Sequence, residues 1–70
     1  MERNLVIEEI RQQANQIAAL VTAMHPLVPK LEDPPTQRAL LRALFELTNQ
    51  VEVVKKNLLK LEKRDDSALL

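Results

Sequence analysis

Glycine is absent from this 70-residue chain, as are cysteine, tryptophan and tyrosine, and it holds a single phenylalanine, Phe45, and a single histidine, His25. Tight hairpin turns lose the residue that enters positive φ freely, and few β-branched residues lie outside the apolar stripes, which argues against a sheet fold. Without thiols there are no disulfide staples and no thiolate metal ligands. A lone histidine, placed before Pro26 with no carboxylate at metal-ligand spacing, reads as a hinge residue. No Ser-His-Asp, Cys-His or glycine-rich phosphate loop can be assembled, and Glu8 and Glu9 are neighbours that point apart. The chain is therefore expected to be no enzyme and to take no cofactor, metal or small-molecule substrate.

Charge of one sign is lacking too. Ten basic and ten acidic residues give a formal net charge of +0, so no long-range field draws the chain to nucleic acid or to an anionic membrane. No apolar run approaches the ~18 residues of a membrane span. The opening Met-Glu-Arg-Asn-Leu-Val-Ile-Glu-Glu carries acids within its apolar start, unlike a secretory signal. A cytoplasmic location is the expectation.

What the chain does have is 46% hydrophobic and 29% charged residues, the balance of an amphipathic helical protein. All four prolines fall between His25 and Thr36. Proline lacks the backbone N–H, clashes with the carbonyl four residues back and pushes its predecessor from helical angles, so the chain turns here. The expected architecture is all-α: an antiparallel helical hairpin over residues 1–64, with helix 1 about 3–24, a proline-rich hinge 25–34 and helix 2 about 34–63. Residues 65–70 read as a flexible tail.

In helix 1 the apolar positions are Val6, Ile7, Ile10, Ala14, Ile17, Leu20, Val21 and Met24, in steps of three and four. Such a stripe is wider than a two-stranded seam and suits a helix with more than one neighbour. Leu27, Val28 and Leu31 continue the heptad through Pro26 and Pro29, and all three are expected to be buried in a short helical turn. Asn4 is a candidate cap for helix 1. Asp33 reads as the N-cap of helix 2, with Pro34 at its first position, where the missing donor costs nothing. The stripe of helix 2 is Leu40, Leu44, Leu47, Val51, Val54, Leu58 and Leu61. In an antiparallel pair, level residue numbers add to roughly 62 to 65. Gln13 then lies level with Gln50, as an amide layer that fixes register or as two glutamines reaching water.

Helix 2 carries further apolar residues outside that stripe: Leu41, Phe45, Thr48 and Leu59, with Val53 on another flank. Each large side chain moved out of water is worth roughly 1.5 to 3 kcal/mol, and a lone hairpin has nothing to cover these. They mark an association surface, and a chain this short seldom buries enough to be stable alone. The reading is a non-enzymatic protein-interaction module, a small scaffold, chaperone or regulatory adaptor. It pairs with itself as a homodimeric four-helix bundle, with another helical protein, or with both. The alternative is a nucleic-acid-binding regulator using Lys55, Lys56, Lys60, Lys63 and Arg64 at the basic end of helix 2. That cluster also reads as a solvated face complementing the helix dipole. Arg38 and Arg42 are candidates for the rim of an interface. In length and layout the chain resembles plasmid copy-number regulators that dimerise and bind paired RNA loops, and hairpin co-chaperones of type III secretion needle subunits; the likeness rests on a hinge between two heptad-bearing helices.

Overall fold

A computed structural model describes residues 2–69, with side-chain surroundings given for residues 2–65. Among the described residues the chain runs through helix α1 (Arg3–Met24), a 3₁₀ segment (His25–Leu31) and helix α2 (Pro34–Leu69). The two α-helices pack against each other as an antiparallel hairpin one helix thick, with extents of 56 × 17 × 14 Å.

Helix α1 starts without a side-chain cap. Glu2 is extended, and its carbonyl accepts from the backbone N–H groups of Leu5 at 3.1 Å and Val6 at 3.2 Å. Asn4, the sequence's candidate cap, lies inside the helix. At the other end Pro26 and Pro29 forbid continuation: in an α-helix each would withhold a donor and clash with the preceding turn, at about 3 kcal/mol each. The backbone tightens into a 3₁₀ segment of seven residues, longer than the usual three or four. Glu32 ends it in the left-handed region at φ 55°, ψ 36°, donating its N–H to the Pro29 carbonyl at 3.3 Å. Glycine normally fills such a position, and this chain has none.

Asp33 then opens α2 as its sequence context predicts. Its carboxylate accepts from the Thr36 N–H at 3.3 Å and from the Thr36 hydroxyl, while its carbonyl accepts from the Gln37 N–H at 2.9 Å. Pro34 and Pro35 occupy the first two helical positions, whose donors have no intrahelical partner in any helix. The helix runs on to Leu69, six residues past the expected end near Lys63. Asp65 at that level is tied back to Arg3 by an ion pair of 2.8 Å.

The core is narrow. Ile7, Ala14, Val21 and Val28 are buried on one side of the seam and Leu44, Val51 and Leu58 on the other, each seven residues from the next. Val21, Val28 and Leu44 form its densest part, beside the hinge. Two helices side by side shield one position per heptad on each, and the remaining stripe positions have nothing above them. Accordingly Ile10, Ile17, Leu20 and Met24 of α1 and Leu40, Leu47 and Val54 of α2 are 39–64% exposed. The hinge follows the same rule: Val28 is buried as expected, but Leu27 and Leu31 are exposed, because the 3₁₀ segment has one face against the helices and the other open.

Candidate interaction face

The exposed stripe positions lie on one side of the hairpin. Viewed end-on, Ile10, Ile17, Met24 and Leu31 follow one another at seven-residue steps along one flank of the seam, and Leu40, Leu47 and Val54 do the same along the facing flank. Between them runs a shallow apolar groove. Near the hinge it is lined by Met24, Leu27, Val28, Leu31, Leu40 and Leu44. Midway along the hairpin it is lined by Ile10, Ala14, Ile17, Leu47, Val51 and Val54, with Gln13 and Gln50 facing each other across it. Both glutamines are exposed, and among the described residues no hydrogen bond joins them. Within a single hairpin they are thus two amides on an open surface, not a buried layer, because nothing lies over them.

The opposite side is tied by charge. Arg11 of α1 bridges Glu8 on its own helix at 2.8 Å and Glu62 of α2 across the seam. The hydrogen bond to Glu62 raises the Arg11 guanidinium above its ordinary pKa against an opposing desolvation effect, with the charges of Glu62 and Glu8 adding to the rise. Leu41, Phe45 and Thr48 share this flank of α2, four and three residues apart. Phe45 is 67% exposed and Leu41 is exposed beside it. The Thr48 hydroxyl donates to the Leu44 carbonyl at 3.0 Å. Leu59 lies on the same flank but about 21 Å further along, at 1.5 Å per residue. Val53 is not with them. It projects from the outer back of α2, so the five predicted interaction residues divide into a trio and two outliers.

The cations of the alternative reading are also divided. Lys56, Lys60 and Lys63 share the outward stripe of α2, Lys55 is half-buried on the ion-tied flank, and Arg64 lies toward the groove side. Glu62 is interspersed among them. Arg38 and Arg42 flank Ala39 in a shallow surface hollow near the start of α2. His25 is exposed at the hinge, and among the described residues no three His, Cys, Asp or Glu side chains converge as a metal cage would require. No helix among the described residues is long and apolar enough to cross a membrane.

The sequence points to an apolar surplus outside the main stripe of α2, whereas the larger part of this surface is made of stripe residues such as Leu40, Leu47 and Val54. The signal was nonetheless there, in a stripe three positions wide per heptad where a two-helix seam uses fewer. Kinship adds no further constraint: no family model, no curated protein and no solved structure matches the chain.

Proposed function

We propose that the chain is a non-enzymatic protein-interaction module that works by laying its groove-bearing face against another helical surface. The observation that carries this reading is the exposure of aliphatic residues repeated every seven positions on both helices of one side, from Ile10 to Leu31 and from Leu40 to Val54. A contiguous apolar strip of this length is uncommon on a monomer and marks a surface meant to be covered. Heptad spacing on both helices matches the knobs and holes of a further pair of helices, which makes a four-helix bundle the natural completed form. The Leu41–Phe45 pair on the other flank is a smaller second contact. Nucleic-acid binding has weaker support, since its five cations point three ways around α2.

A photo-crosslinking residue in place of Leu47, in the living host, tests the reading. It is expected to form covalent protein adducts, to a second copy or to another protein, while the same group in place of Asn49 on the outer back forms none. Adducts to nucleic acid alone, or equal yields from the two positions, would overturn it.

A further inference from the structure

We infer that the occupant of the open face is a second copy of this chain, related by a twofold axis running along the hairpin so that both hinges lie at the same end. This rests on the reading of the face as an interaction surface and adds what covers it and in which orientation.

Three features of the face are self-complementary in this arrangement. The first is the pair of glutamines. Gln13 and Gln50 sit level across the groove, and a twofold along the long axis brings each over the other's counterpart, so four amides meet in one layer. Each amide has both donors and an acceptor, so the layer can satisfy itself. A buried amide left without a partner is costly, so the layer favours as occupant a chain that carries the same two amides at the same level. The second is charge. Glu2 lies at the start of α1, whereas Arg64, toward the groove side, occupies the corresponding end of α2. Placing α1 of one copy over α2 of the other sets Glu2 near Arg64, twice over, and the net charge of +0 leaves no general repulsion between copies. The third is size. A strip 17 Å wide along the paired helices removes on the order of 800 Å² per copy from water, the scale of an ordinary specific interface.

The experiment uses the full chain, whose lack of cysteine lets one introduced thiol carry one spin label. Sedimentation equilibrium of the unlabelled chain comes first and is expected to give twice the 8.0 kDa chain mass. Lys30→Cys then places a label at each hinge for a dipolar distance measurement. Hinges at the same end predict about 25 Å between labels, given helices packed 8–10 Å apart; hinges at opposite ends predict about 40 Å or more, at 1.5 Å rise per residue. The charge pair supplies an independent readout. Glu2→Lys is expected to weaken the dimer about threefold and Glu2→Lys with Arg64→Glu to restore it, a rescue that opposite-end hinges do not allow. A dimer with distant labels, or one without rescue, overturns the orientation. A chain that stays monomeric at 100-fold above micromolar concentration, roughly the range where such interfaces associate, overturns self-pairing, while protein adducts from position 47 would still uphold the interaction reading.

Discussion

The two long sides of the hairpin are built from the same two helices and differ in almost everything that touches water. One is crossed by Arg11 reaching Glu62 and Glu8; the other is a strip of aliphatics with Gln13 and Gln50 at its middle. The seam between them is one residue wide per heptad on each helix. The difference teaches that the same two helices close one side with ion pairs, beside the exposed Leu41 and Phe45, and leave the other an open apolar strip. Charges that cross a seam cannot be buried cheaply under a partner, whereas half-exposed leucines gain from being covered.

Substitutions that separate seam from side come first in size. Leu44→Ala removes a buried side chain beside Val21 and Val28, and urea unfolding is expected to show a loss of about 2–4 kcal/mol. Should it cost no more than Leu47→Ala, the division into a buried seam and an open face is misdrawn. Next comes the contrast between sides. Leu47→Glu is expected to weaken association by tenfold or more in sedimentation while dilute samples keep their helical circular dichroism, and Phe45→Glu to weaken it much less. The reverse order would move the principal contact to the Leu41–Phe45 flank, where the apolar surplus of the sequence alone suggested it.

Smaller effects sharpen the picture at the hinge and on the ion-tied side. Glu32→Gly relieves a left-handed residue carrying a Cβ but loosens the unfolded chain, and a net gain of up to about 1 kcal/mol in melting experiments is expected. Arg11→Ala should lower the melting temperature slightly at low salt and not at all near 1 M salt, since the pair is solvent-screened. Its pH dependence follows from the raised guanidinium pKa: the contribution is complete below the ordinary arginine value and is lost only as pH climbs through the raised one. Melting temperatures from neutral to pH 10 should therefore show no transition that Arg11→Ala removes.

Much of the architecture was legible before any coordinates. The prolines between Pro26 and Pro35 located the turn, Asp33 announced the start of α2, and the heptads carried straight through the hinge to Val28. Each of these is local, resting on a donor that proline lacks or a carboxylate within reach of Thr36. Less legible was where most of the exposed apolar surface lies. The sequence pointed to Leu41, Phe45, Thr48, Leu59 and Val53 because they fell outside the main stripe, but the larger exposed surface is made of stripe residues themselves.

The sequence by itself determined two amphipathic helices, their lengths to within a turn or two, and the elbow that folds one onto the other, because backbone donors, proline rings and residue spacing act over a few positions. Only the tertiary structure decided which third of each apolar band became the seam and which third stayed open. A heptad pattern specifies a band on a cylinder and not the direction from which a neighbour arrives; that direction appears when Val21 meets Leu44, and with it the side on which Leu47 and Ile17 are left facing water.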